Sequence, residues 1–121
     1  MVIRVLFKAG LSLPGLCLIN TIYFMIQHTV VLKLKYPKGS LEEKDFLEAA
    51  AKLSSIPGVH NFKSLRQIGR KNDYDYGLSM EFDTMQAYEA YNQHPDHTKF
   101  VTTFWTKYVE KFLEIDYEPI V

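Results

Sequence analysis

In the run Tyr91-Asn92-Gln93-His94-Pro95-Asp96-His97 a phenol and an imidazole stand on either side of a proline. His97 falls in the first turn after Pro95, where the positive end of a helix dipole disfavours imidazolium and keeps the ring neutral, as a general base must be. Tyr91 falls on the preceding helix, and its hydroxyl can donate a hydrogen bond to an oxygen gathering enolate charge. Together they have the means to take a proton from a carbon next to a carbonyl. His28 sits on an otherwise apolar strand face, where a buried ring needs partners for both nitrogens; that placement suits a pocket wall and a satisfied core histidine equally. The plainer role for the pair is packing, with Tyr91 filling the core and His97 ordering the helix start. Pocket geometry separates the two: convergence on one enclosed cavity marks an enzyme, and a filled core marks a binder or scaffold.

His28, His94 and His97, with Asp96 beside them, raise the question of a metal. Pro95 breaks the turn between His94 and His97 so that they diverge, and spacing fixes no third ligand; no metal and no cofactor are expected. Cys17 is the only cysteine, so there is no intrachain disulfide, CxxC pair or zinc-type cysteine cluster. Lys and Arg total 14 and Asp and Glu total 14, a balance without the basic footprint that nucleic-acid binding requires. The expected partner is a small apolar or carbonyl-containing molecule bound in a pocket, with no nucleic acid.

Positioning these groups falls to a chain of 121 residues, 47% of them hydrophobic, which is one domain with one core. Residues 1–24 stand apart. They carry Arg4 and Lys8, no acid, and an apolar run from Leu11 to Ile22 that Pro14 and Gly15 interrupt. The run is too broken for a spanning helix and lacks a small-residue cleavage site. Residues 1–24 are therefore expected to be an N-terminal extension or a weak signal-like segment, and 25–121 the domain. Location is then cytoplasmic if translation starts near Met25, and exported if 1–24 act as a signal.

From Met25 the periodicity is regular. Ile26, His28, Val30, Leu32, Leu34 and Tyr36 alternate with polar neighbours and predict a half-buried strand. Ser40-Leu41-Glu42-Glu43 forms a capping box for a helix carrying Phe46, Leu47, Ala50 and Leu53. Ile56-Pro57-Gly58 ends it, and a second strand runs to about Gly69, its alternation disturbed by a bulge around Phe62 and Leu65. Tyr74 to Phe82 alternate as a third strand, with Tyr76, Leu78 and Met80 inward. Asp83 is expected to cap a second helix, Pro95 divides the helical stretch that ends near Val109, and Phe112 to Pro119 form a last strand. The order βαββαβ predicts an α+β, ferredoxin-like antiparallel sheet with helices on one face. A pocket between sheet and helices would be walled by His28, Val30 and Leu32, by Phe46, Leu47 and Ala50, and by Leu78 and Met80. The opposite sheet face, with Thr29, Lys33, Gly77, Ser79 and Glu81, lacks the aromatics on which ferredoxin-like RNA binders stack bases.

Taken in order, His28-Thr29-Val30-Val31-Leu32-Lys33-Leu34-Lys35, Ile56-Pro57-Gly58-Val59, Tyr74-Asp75-Tyr76-Gly77-Leu78, the Tyr88 to His97 segment and Asp116-Tyr117 resemble the stress-responsive A/B barrel (Dabb) family. The resemblance spans Met25 to Pro119. It implies a ferredoxin-like fold whose sheets pair in a homodimer as a dimeric α/β barrel, in a family most of whose members have no assigned activity. It also implies a cyclase-like possibility, since a plant polyketide cyclase of the family performs an intramolecular aldol condensation with a Tyr and a His that match Tyr91 and His97. The pocket of that cyclase includes a His matching His28, but where it has a further third-strand His this chain has Tyr76.

Overall fold

The computed structural model describes residues 25–120, together with the backbone of two short strands, β1 (Val5–Leu6) and β2 (Thr21–Ile22), which pair antiparallel. The expectations for residues 1–24 otherwise lie outside the described residues.

The domain is built on β3 (Ile26–Leu34), the strand with the clearest alternation: Ile26, His28, Val30, Leu32 and Leu34 are buried and the residues between them are not. Its neighbours are β5 (Tyr76–Phe82) and β6 (Val109–Tyr117), and β4 (His60–Arg66) pairs outside β5. All pairs in the order β4-β5-β3-β6 are antiparallel, which is the ferredoxin-like arrangement expected. Register places His28 between Met80 on one side and Asp116 on the other.

Helix α1 (Leu41–Ala51) starts where the sequence asks it to. Ser40 Oγ accepts from the Glu43 amide at 3.1 Å, and the Glu43 carboxylate accepts from the Gly39 amide at 2.7 Å. Phe46 and Ala50 point into the core, and a 3-10 turn, Lys52–Ser55, adds Leu53. Gly58 follows at φ +90, and a Cβ there would sit 3.5 Å from the Ala87 Cβ, so the turn lets the chain pass close to the next helix.

Several local expectations shift, beginning with strand ends: β3 stops at Leu34, short of Tyr36, and β6 spans Val109–Tyr117 in place of Phe112 to Pro119. The bulge lies between His60 and Lys63, at the Phe62 end of the expected stretch and not at Leu65, with Asn61 at φ 52 and its amide donating to Glu81. The hairpin between β4 and β5 is longer than the alternation suggested, because Gln67 Nε2 donates to the Tyr74 carbonyl at 2.7 Å and the Asp75 amide turns to the Leu32 carbonyl at 2.8 Å. Helix α2 (Met85–Gln93) is capped by Thr84 instead of Asp83, Thr84 Oγ1 accepting from the Ala87 amide at 3.0 Å.

His94 ends α2 and caps α3 (Pro95–Phe100), accepting the Asp96 amide at its Nδ1. Pro95 fits the first helical position because its missing N–H would go unused there. A π turn, Val101–Trp105, and a last short helix, α4 (Thr106–Tyr108), lead into β6. Between sheet and helices Leu32, Phe46, Met80, Phe82 and Tyr91 are almost wholly buried. Each such side chain contributes about 2 kcal/mol of burial free energy. No helix among the described residues is long and apolar enough to cross a membrane.

Candidate active site

A cavity of about 390 Å³ opens between the inner sheet face and the α2 to π-turn segment, within the size range of small-molecule sites. One wall comes from β3 and β5, through His28, Val30, Leu78 and Met80. Opposite stand Tyr91, Asn92, His97 and Phe100, with Val101 and Trp105 from the π turn. Turns of this kind concentrate at functional sites, and here it carries two side chains to one cavity. Leu53, Phe112 and Glu114 complete the lining.

Helix α2 places Tyr91 on the same face as Tyr88, one turn away, and the Pro95 break folds α3 back so that the His97 ring lies 4.6 Å from the Tyr91 ring, centroid to centroid. His97 Nδ1 donates to the Asn92 carbonyl at 3.1 Å. A carbonyl can only accept, so Nδ1 holds the proton and the neutral ring keeps its lone pair on Nε2. Burial holds the His97 pKa below the ordinary 6.5, against the opposing pull of the Asn92 bond and with the help of nearby His28. Tyr91 is shifted the other way. Burial first, and then the negative charge of Glu114, push its pKa well above the usual phenol range, so the hydroxyl remains a donor.

Behind this pair lies a second network, on the β6 side of His28. His28 Nδ1 donates to Asp116 Oδ1 at 2.6 Å, and Asp116 Oδ2 accepts from the Tyr88 hydroxyl at 2.8 Å. The Tyr88 oxygen is also 2.9 Å from His28 Nδ1, and its hydroxyl is 3.3 Å from Glu114 Oε2. This fixes the ring of a histidine that is only 6% exposed. Burial, the bond to Asp116 and the charges of Asp116 and Glu114 keep Tyr88 protonated.

His28, Glu114 and Asp116 bring their donor atoms within 4.8 Å of one another, close enough to raise the question of a cation. The 2.6 Å separation of His28 and Asp116 is that of a charge-assisted hydrogen bond. Two ligands about 2.1 Å from a tetrahedral zinc would stand roughly 3.4 Å apart. His94 turns its Nδ1 to the Asp96 amide as a cap, and it does not line the cavity.

Among the expected wall residues, His28, Val30, Leu78 and Met80 line the cavity together with Tyr91 and His97, whereas Leu32, Phe46, Leu47 and Ala50 do not. The reason is packing. The Phe46 ring stands 5.6 Å from Phe100 and 6.0 Å from Trp105, so aromatic rings fill the space under α1. Leu32 and Ala50 are buried in that filled region, and Leu47 packs on its margin. Leu53, in the 3-10 turn that follows α1, takes over the lining. Sequence reasoning passed over Tyr88, Glu114 and Asp116 as site residues. The signal was present in β6, where the parity that turns Phe112 inward also turns Glu114 and Asp116 inward.

The fold and the site define a ferredoxin-like α+β domain with a cavity under its helices to which Tyr91 and His97 both contribute. Residues 26–119 match the model of the Stress responsive A/B Barrel Domain, and the chain belongs to that family, known as Dabb. Among curated proteins it is similar to olivetolic acid cyclase of Cannabis sativa, 26% identical over 101 residues, which cover 78% of this chain and 96% of the cyclase. A Dabb family protein of Mesorhizobium loti with a ferredoxin-like fold superimposes with a TM-score of 0.79 at 56% identity, covering 81% of this chain and 99% of that one. A dimeric ferredoxin-like protein of unknown function from Jannaschia sp. superimposes with a TM-score of 0.63 at 25% identity, over 78% of this chain and 99% of its own.

Proposed function

We propose that this chain catalyses proton abstraction next to the carbonyl of an enolisable small molecule, with aldol-type ring closure or isomerisation as the outcome. The observation that carries the reading is the meeting of a neutral His97, its Nε2 lone pair free of the Asn92 bond, with a protonated Tyr91 at one cavity. In this reading Nε2 takes the α-proton while the Tyr91 hydroxyl donates to the forming enolate oxygen. The enolate carbon then attacks a second carbonyl, whose new alkoxide oxygen takes the proton back from the imidazolium, or is itself reprotonated by the imidazolium; either course restores the base. His28, held by Asp116, borders the same space as a further polar wall. The likeness to olivetolic acid cyclase supports a polyketide or other β-dicarbonyl as the substrate class. A binder without turnover would use the same cavity and would not depend on the proton affinity of His97.

The working unit in this proposal is a homodimer. Val31, Leu65, Leu113 and Ile115 lie on the outer sheet face, the last three 49%, 48% and 39% exposed. An apolar stripe of this kind favours a partner surface, and the Jannaschia relative is described as dimeric.

Crystals soaked with benzoylacetone test the site. The reading expects a carbonyl oxygen within hydrogen-bond distance of the Tyr91 hydroxyl and the central carbon facing His97 Nε2. Density for the compound elsewhere, with this cavity unchanged, would contradict it.

A further inference from the structure

The cavity wall is electrically one-sided. Among the lining residues Glu114 is the only carboxylate, and no Lys or Arg stands with it. Its side chain is 47% exposed, and Oε2 reaches to 3.5 Å from His28 Nδ1. Asp116 adds a second carboxylate directly behind His28. Both charges project inward from β6, two positions apart on one strand face, as the register with β3 requires. The rest of the lining is the two histidine rings, the Tyr91 hydroxyl and the Asn92 amide among apolar side chains.

We infer that Glu114 determines substrate charge at this site: it admits neutral and cationic carbonyl compounds and rejects those that carry a carboxylate. The inference rests on the cavity being the substrate site, and it narrows the substrate class that the family likeness leaves broad. A substrate carboxylate entering past Glu114 loses hydration and meets a like charge with no Lys or Arg in the wall to compensate. An ammonium group meets a ready partner at the same place. Glu114 thus acts on selection, through a group that touches substrate at the mouth, and takes no part in the proton transfer.

Trp105, the only tryptophan of the chain, lines the cavity, so quenching of its fluorescence reads binding directly. The probes are benzoylacetone and its ring-aminomethyl and ring-carboxylate derivatives. For the wild-type protein the expected order of affinity is aminomethyl, then neutral, then carboxylate, with about tenfold between the charged pair and the neutral compound on each side. Glu114→Gln should bring the three together, improving the carboxylate and weakening the aminomethyl probe. Glu114→Lys should reverse the order. Raising the salt concentration with the wild-type protein should compress the same spread without any substitution, which keeps the test independent of how the variants fold. A carboxylate probe that binds as tightly as the neutral one, or an order untouched by both variants and by salt, overturns the inference while leaving the base chemistry standing. If none of the three probes binds, the cavity is not the substrate site, and both readings fall.

Discussion

His28 and Asp116 face each other across the β3 and β6 pair, imidazole Nδ1 to carboxylate oxygen at 2.6 Å. The bond joins a buried ring on the central strand to an acid on the edge strand, and Tyr88 closes the arrangement from α2 at 2.8 Å from the same carboxylate. It ties sheet edge, sheet centre and helix together beside the cavity, so site geometry and fold stability share these three residues.

A double-mutant cycle on His28→Gln and Asp116→Asn, read by urea unfolding, should show this coupling. Each single change is expected to destabilise by about 1–2 kcal/mol, and the interaction energy to be about 1 kcal/mol. Screening keeps the figure small, since the Asp116 side chain is 37% exposed. Strict additivity would contradict a direct bond.

The pH profile follows from the opposite shifts of the two cavity groups. The base must be neutral, and burial holds the His97 pKa below 6.5, so kcat/KM should be flat around neutrality and fall only on acidification below that value. Tyr91 is raised, so no loss from phenol ionisation is expected in the usual range near pH 10. The sign for stability is the same as for activity. The unfolded chain takes up the His97 proton near 6.5 and the folded chain only at lower pH, so acidification through that window favours unfolding. An activity limb centred above 6.5 would exclude His97 as the base.

Tyr76 offers a test of the core. Its ring is 3% exposed, and its hydroxyl has no hydrogen-bond partner among the described residues. Tyr76→Phe removes a buried, unsatisfied group while keeping the ring that Arg66 overlies at 5.7 Å. The variant should be as stable as the wild type or more so, by up to about 1 kcal/mol in thermal unfolding. A marked loss would mean that the hydroxyl has a partner.

The sheet face opposite the helices carries the assembly prediction. Leu113→Lys and Ile115→Lys place charges on its exposed apolar stripe, and light scattering should then report the mass of one chain where the wild type gives two. A wild-type monomer at micromolar concentration would contradict the dimer.

Much of this architecture was legible in the residues. Alternation in Ile26 to Leu34, the Ser40 cap and the Pro95 break act locally, and local rules placed them correctly. The pairing of Tyr91 with His97 was also legible, because both flank one proline. The far side of the site was not. Whether Phe46 lines a cavity or fills it depends on the rings of Phe100 and Trp105 across the core, and no periodicity reports that. Asp116 becomes a partner of His28 only through sheet register between residues at the two ends of the domain. The switch of the cap from Asp83 to Thr84 reflects two adjacent residues of nearly equal capping ability.

The central claim is that His97 removes a carbon-bound proton, and deuterium incorporation into the methyl group of acetophenone in D₂O, followed by NMR, tests it most directly. The wild-type protein should accelerate exchange above the buffer rate, Tyr91→Phe should lower the acceleration by about a hundredfold as loss of an enolate-oxygen donor does, and His97→Ala should return it to the buffer rate. Exchange at the buffer rate with the wild-type protein, or undiminished exchange with His97→Ala, would contradict the account.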